Sequence, residues 1–276
     1  MSTTSPSLTE DLQLASSMAR QAGELIRSRW GTSVRVEHKG EIDLVSEVDL
    51  AAEALILNAL RVARPQDDVL AEESASGDQM IGALSPTSGR VWCVDPLDGT
   101  TNFSHGFPHF CTSIALLVGG RAQVGVIYDP LRDWLFSAIM GGGAWLNGSQ
   151  LHVSHQGELR RALLATGFPY DRHVSDHDNL AQTNRVLKRC RGLRRAGAAA
   201  LDLAFVAAGW LDGYWEYKLK PWDVAAGSLI AQEAGATLTD ELGGHAWLHR
   251  GAIIATGSPE LHHELKSNLD EAWHGH

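Results

Sequence analysis

Cysteine is scarce in this chain: Cys93, Cys111 and Cys190 are the only three among 276 residues. An odd number at wide spacing supplies no disulfide framework and no Cys-x-x-Cys zinc pair. With no signal-peptide pattern at the start, it fits a reducing cytoplasm. Cys93 and Cys111 fall in apolar runs, where a thiol behaves as a small core residue. No apolar run approaches the ~18 residues of a membrane span. Positive charge is also in deficit: 23 Lys and Arg stand against 33 Asp and Glu, a formal net charge of -10. No block of like charge stands out. Such a surface argues against general binding to nucleic acid or to anionic membranes. It leaves phosphate substrates open, because a bound cation reverses the local sign. Repeats and low-complexity runs are absent. The thirteen histidines are scattered, and His262-His263 and His274-Gly275-His276 are expected in an exposed tail.

What is present is a hydrophobic content of 44% over a length that can bury a substantial core. One stretch organises the rest: Val91-Trp92-Cys93-Val94-Asp95-Pro96-Leu97-Asp98-Gly99-Thr100-Thr101-Asn102-Phe103. Residues 91–94 read as a short buried strand that ends at Asp95, where Pro96 forces a turn. Asp98 follows at once. Two carboxylates about 4 Å apart repel by about 4 kcal/mol at an effective dielectric near 20. A divalent cation removes that cost, and oxygen ligands suit Mg²⁺, Mn²⁺ or Ca²⁺ rather than zinc. Gly99-Thr100-Thr101 offers N–H groups and hydroxyls that suit a phosphate. A bare Asp-x-x-Asp equally caps a helix or rims a turn.

The full string Asp-Pro-Leu-Asp-Gly-Thr-Thr-Asn-Phe is more specific. It resembles the first signature of the inositol monophosphatase family, Mg²⁺-dependent and lithium-sensitive phosphatases. Further matches occur in the family's order. Asp43-Leu44-Val45-Ser46-Glu47-Val48-Asp49 resembles its Asp-x-Val-Thr-x-x-Asp pattern, with Ser46 in place of Thr. Glu72-Glu73 follows a strand. Lys220-Pro221-Trp222-Asp223-Val224-Ala225-Ala226-Gly227 resembles the second signature. The resemblance covers roughly residues 8–270.

Periodicity fills in the remainder. Ser7 and Glu10 form a capping box for a helix ending near Trp30-Gly31. Residues 34–38 read as a strand, 48–62 as a second helix closed by Pro65, 68–71 as a strand, and 74–90 as a surface loop and possible lid. Strands at 112–118, 123–128 and 133–139 form an antiparallel meander. Asn147-Gly148 then makes a type I′ hairpin. Beyond a polar passage at 152–162, strand and helix alternate: 163–166, 176–190, 198–208, 213–217, a helix capped by Asp223, 237–240, 252–256 and 259–273. Asp202 reads as a structural helix residue.

The resemblance implies a mixed α/β fold, the layered α/β/α/β/α sandwich of the inositol monophosphatase and fructose-bisphosphatase type. Residues 1–150 would form an α+β half and 151–276 an α/β half, with the site between them. It implies that Glu72, Asp95, Asp98 and Asp223, with the Leu97 carbonyl and the Thr100 hydroxyl, hold two or three Mg²⁺ ions. Asp49, Thr100 and Glu72 carry the catalytic roles, Asp49 and Thr100 by orienting water. Gly99, Thr100, Thr101, Ala199, Glu216 and Asp223 face the substrate, with Glu216 accepting polyol hydroxyls. Ala198 departs from the family, standing where a hydroxyl residue is usual. The expected activity is hydrolysis of myo-inositol monophosphate by a cytoplasmic homodimer, with small phosphorylated polyols as its partners. The alternatives are a histidinol-phosphate phosphatase on the same fold, or a non-catalytic RNA- or transcription-associated partner protein.

Overall fold

A computed structural model describes residues 6–32, 36–38 and 44–273. The histidines expected in an exposed tail at 274–276 lie outside these residues. The first helix, α1 (Leu8–Arg29), starts at the anticipated capping box: Ser7 N donates to Glu10 Oε2 (2.8 Å), and Glu10 N to Ser7 Oγ (3.2 Å). A short antiparallel pair follows, β1 (Val36–His38) and β2 (Leu44–Ser46). Then come α2 (Glu47–Ala63), β3 (Asp68–Ala71), α3 (Gly77–Ala83), β4 (Arg90–Asp98) and α4 (Thr100–Ser104). The meander is β5 (Cys111–Val118), β6 (Arg121–Asp129), β7 (Trp134–Ile139), β8 (Ala144–Leu146) and β9 (Ser149–Gln150). After it run β10 (Leu163–Thr166), α5 (Leu180–Leu187), β11 (Gly192–Arg194), α6 (Ala199–Ala207), β12 (Gly213–Glu216) and α7 (Pro221–Glu233). The chain closes with β13 (Thr237–Thr239), α8 (Trp247–Arg250), β14 (Ile253–Thr256) and α9 (Pro259–Trp273).

Two larger sheets carry the fold, in strand orders β3-β4-β5-β6-β7-β8-β9 and β11-β10-β12-β14-β13. Each mixes parallel and antiparallel pairs. Helices α1 and α2 cover one face of the first sheet, burying Ala15, Ile26 and Ile56 against Trp92, Val94 and Ile114. Helices α6 and α7 fill the space between the sheets, with Leu203 and Leu229 meeting Cys93 and Ile127 on one side and Tyr214 and Ile253 on the other. Helices α5 and α9 close the outer face of the second sheet over Leu164, Trp215 and Ile254. The result is the five-layer sandwich. Residues 91–94 are apolar without a break because both faces of β4 are covered. Among the described residues no helix is long and apolar enough to cross a membrane.

Several local expectations change. β4 does not stop at Asp95 but continues through Pro96 to Asp98. The register against β5 shifts between Asp95 and Asp98, so the proline sits in a bulge, where a ladder tolerates it. The expected loop at 74–90 contains α3, opened by a Ser76–Gln79 capping box. The helix expected over 176–190 begins only at Leu180. Asn179 is held left-handed at φ 68° by tertiary hydrogen bonds: its Nδ2 donates to Gly167 O (2.7 Å) and Trp215 Nε1 donates to its Oδ1 (2.8 Å). Asp223 is not the cap of α7 but its third residue, with Pro221 first. His262 is buried between Thr239 Oγ1 (2.9 Å) and Thr256 Oγ1 (3.2 Å), not exposed; His263 is exposed.

One buried ion network ties α1 to the first sheet. Asp11, wholly buried, accepts from Arg64 Nε and Arg90 Nη2 (both 2.9 Å), and Arg90 also donates to Asp67 (3.0 Å). Removing the shared acid takes the carboxylate from the mostly buried Arg64 and leaves Arg90 with Asp67 alone. Asp11→Ala is expected to lower stability by about 3 kcal/mol in a denaturant melt. A loss below about 1 kcal/mol would mean the network contributes only what an exposed pair does.

Candidate metal and phosphate site

A cleft of about 390 Å³ opens where the ends of β3, β4 and β12 meet the starts of α6 and α7. Glu72, Asp95, Leu97, Asp98, Gly99, Thr100, Ala199, Glu216 and Asp223 all line it. Residues from both halves of the sequence therefore converge. Glu72 is placed by its own backbone, whose N–H joins Val94 O across the sheet (3.1 Å). Asp95 Oδ1 accepts from Leu97 N (3.0 Å) inside the bulge, and Asp223 Oδ2 from Lys220 N (2.7 Å) in the first turn of α7. Asp98 Oδ2 accepts from Ala200 N (2.8 Å), a contact that links the loop after β4 to α6. Each of these three carboxylates is thus oriented by a main-chain donor.

Burial, then the charges of Glu72, Asp98 and Asp223, hold the Asp95 carboxyl well above the ordinary range. Glu72 is close enough to share a proton with it. Asp98 is raised in the same way by burial, Asp223, Glu72 and Glu216, against the pull of the Ala200 N–H. Among the described residues, no three acids, histidines or cysteines close on one point tightly enough to hold an ion as they stand. The donor set nonetheless fits a hard divalent cation: it is oxygen-only and crowded. Closing on an ion requires side-chain rotation within the cleft.

Asp49 lies behind the cleft, fully buried at the start of α2. Its Oδ2 accepts from Ser46 N (2.9 Å) and from the Ser46 hydroxyl, and its Oδ1 from Thr100 Oγ1 (2.7 Å). Burial raises this carboxyl, and the Ser46 and Thr100 donors oppose the rise. Thr100 Oγ1 also stands 3.1 Å from Leu97 O, so the hydroxyl and the carbonyl present adjacent oxygens. Gly99 is required between them. Its φ is 95°, and a Cβ there would press to 3.0 Å from His109 O. Thr101, by contrast, is exposed and does not line the cleft.

The opposite wall carries Glu216. Its carboxyl packs directly over Gly167, where any Cβ would overlap it, and accepts from Tyr214 Oη (2.6 Å). Burial pushes it up to about 7, against the Tyr214 hydroxyl and the nearby Arg195. Asp202, buried in α6, is raised by burial and by the charges of Glu216 and Asp98. Ala198 is in the core at 1% exposure and does not line the cleft, so the absent hydroxyl is lost behind the wall. Arg195, Lys218 and Lys220 line the rim. Lys220 opens the second signature; for Lys218 the available signal was the run Lys218-Leu219-Lys220 just before Pro221.

Five layers with an acid-crowded cleft at the strand ends define the class of α/β protein. The profile of the inositol monophosphatase family matches residues 7–274, and the chain belongs to that family. It is 43% identical over 263 residues to Nus factor SuhB of Escherichia coli K12, covering 94% of this chain and 95% of that one. It is 42% identical over 252 residues to inositol monophosphatase 2 of Solanum lycopersicum, covering 90% and 94%. The crystal structure of extragenic suppressor protein suhB from Bartonella henselae superposes with a TM-score of 0.86 at 39% identity, covering 95% of this chain and 99% of that one.

Proposed function

We propose that this protein is a Mg²⁺-dependent phosphomonoesterase that hydrolyses myo-inositol monophosphate and similar small polyol phosphates. The observation that carries the reading is the crowding of Glu72, Asp95, Asp98 and Asp223 in one cleft, where the buried Asp95 and Asp98 are raised by their acidic neighbours. Mg²⁺ held by these acids, two or three ions per subunit, would acidify water and screen the phosphate. The chain's own residues do the rest. Thr100 Oγ1 donates its proton to Asp49 Oδ1, which leaves the Thr100 oxygen free to accept from a water and aim it. The N–H groups of Gly99 and Thr100 in the cleft would meet phosphate oxygens; Thr101, expected to join them, does not line the cleft. In-line attack joins the water oxygen to phosphorus, the ester bond breaks, and the alcohol leaves with a proton. Glu216 and the main chain at Ala199 would receive the polyol hydroxyls, and Asp223 would serve both the metal and the substrate. The working unit is a cytoplasmic homodimer, by family analogy.

A panel of inositol 1-phosphate, histidinol phosphate and fructose 1,6-bisphosphate, with Mg²⁺, tests the reading. Release from inositol 1-phosphate is expected. Turnover of histidinol phosphate alone would keep the phosphatase and replace the substrate; no release from any would end the enzyme reading. A second role is motivated by the relatives named Nus factor SuhB. Such a partner function would persist when the acids are neutralised, so a pull-down unchanged by Asp95→Asn would favour it.

Two further outcomes follow from the site. Lithium is expected to inhibit at saturating substrate, because a cation held mainly by Asp98 and Asp223 would have few ligands and would exchange readily; unchanged turnover at high lithium would count against it. Glu216, with its carboxyl near 7, loses an acceptor as pH falls. KM for a polyol phosphate should rise up to about tenfold from pH 8 to pH 6. In Glu216→Gln, KM should be high and this rise absent. A mutant with the wild-type profile would assign the pH dependence to another group, such as the phosphate itself.

A further inference from the structure

A second cavity, of about 590 Å³, shares no lining residue with the cleft. It lies between the β5–β6 turn, residues 84–86, the later turns of α7 and the start of α8. Its composition is unusual for this chain. The protein carries 33 acids and a formal charge of -10, and five acids line the catalytic cleft. Not one acid lines this cavity, whereas Arg121, His245 and His249 all do. Arg121 is exposed and pairs with no carboxylate among the described residues.

The walls are built rather than incidental. Gly119 and Gly120, at φ 57° and 71°, form the turn between the paired residues Val118 and Arg121. Their N–H groups are fixed on Ser88, at 3.2 Å to its carbonyl and 3.1 Å to its hydroxyl. A Cβ on Gly120 would overlap the Leu84 carbonyl, so the turn is pressed onto the segment that forms the cavity's edge. This fixes the backbone from which Arg121 projects. Across the cavity, His245 stands edge-on to Trp247, with centroids 5.9 Å apart at 86°. His249 lies within α8, and His245 just ahead of it, before the capping residue Ala246. Leu84 and Trp247 are buried apolar surfaces, and Met140 is exposed beside them.

We infer that this cavity is a second binding site, for a small organic anion that carries a flat apolar group beside its phosphate, sulfonate or carboxylate. The volume lies within the ~300–1,000 Å³ of small-molecule sites. Arg121 and the two imidazoles take the anionic group through donated hydrogen bonds. Trp247, Leu84 and Met140 take the ring. Neither the phosphatase reading nor the family assignment requires the site. It abuts α7, the helix whose first turn carries Asp223.

Naphthalene-2-sulfonate, which no phosphatase hydrolyses, is the probe, with uncharged naphthalene-2-methanol as its control. Titration calorimetry on the full chain should give one site per chain for the sulfonate and much weaker binding of the alcohol. Arg121→Gln should weaken the sulfonate about tenfold, and His249→Gln should also weaken it. Turnover without the probe should be unchanged in both variants. Saturating inositol 1-phosphate in the absence of Mg²⁺ should not displace the probe. Absence of binding at millimolar probe, equal affinity in Arg121→Gln, equal binding of the alcohol, or displacement by inositol phosphate would each overturn the inference.

Discussion

Asp95→Asn is expected to abolish phosphate release while raising the melting temperature of the metal-free protein. The two effects have one cause. Asp95 is buried against Glu72, Asp98 and Asp223, so its charge is costly until a cation arrives. Each close pair costs a few kcal/mol before relaxation or proton uptake, about 4 at an effective dielectric near 20. Asparagine keeps the shape and the acceptor for Leu97 N, and removes the charge. Activity should fall more than about a hundredfold, beyond the loss typical of an outer partner of a metal ligand. Mg²⁺ at ~100 times its dissociation constant stabilises a folded site by about 2.7 kcal/mol per ion, and that shift should shrink in the mutant. The pH dependence in chelator has a definite sign. The folded carboxyls of Asp95 and Asp98 are raised, so the folded state binds more protons than the unfolded one. Stability then falls as pH rises from the ordinary carboxylate range, near 4, to the raised values. Wild-type protein in chelator should therefore melt higher at mildly acid pH than at pH 8, and Asp95→Asn should show less of this slope. An Asp that only closed a strand turn would, as Asn, lose a degree or two and keep its metal response.

Asp49→Asn is expected to lower kcat by about a hundred- to ten-thousandfold, the range typical of a positioned proton acceptor. KM and the Mg²⁺ midpoint should move little. Asp49 does not line the cleft and reaches it only through the Thr100 hydroxyl at 2.7 Å. An amide can still accept from Ser46, so the cap of α2 survives and stability should change by no more than about 1 kcal/mol. With its one oxygen on Ser46, the amide turns its Nδ2 donor toward Thr100 and cannot accept from that hydroxyl, so the hydroxyl loses its orientation. A kcat within a few-fold of wild type would return Asp49 to the role of a helix-start acid.

Much of the frame was legible because it rests on local chemistry. The Ser7–Glu10 box and the i, i+3, i+4 stripe of α1 needed no tertiary information, nor did Asn147-Gly148, whose residues take φ 49° and 83° between β8 and β9. The unread elements are those held from outside. β11 is three residues on the sheet edge beside β10, and α8 is four residues. Neither has room for a period to show. Asn179 looked like helix until its partners on β10 and β12 were known. At the site, the acids were readable from the signatures because each lies beside the main-chain group that orients it. The exception is the link from Asp98 to Ala200, which joins residues 102 apart in sequence. The inward turn of Ala198 and the buried state of His262 belong to the same class, since a side chain's face depends on the layer packed against it.

The most direct test is phosphate release from inositol 1-phosphate by protein stripped with chelator, followed by stepwise return of Mg²⁺. No release in chelator and saturable recovery with Mg²⁺, absent in Asp95→Asn, is the predicted result. Release that persists in chelator, or recovery that Asp95→Asn shares with wild type, would contradict a cation held by the acids of this cleft.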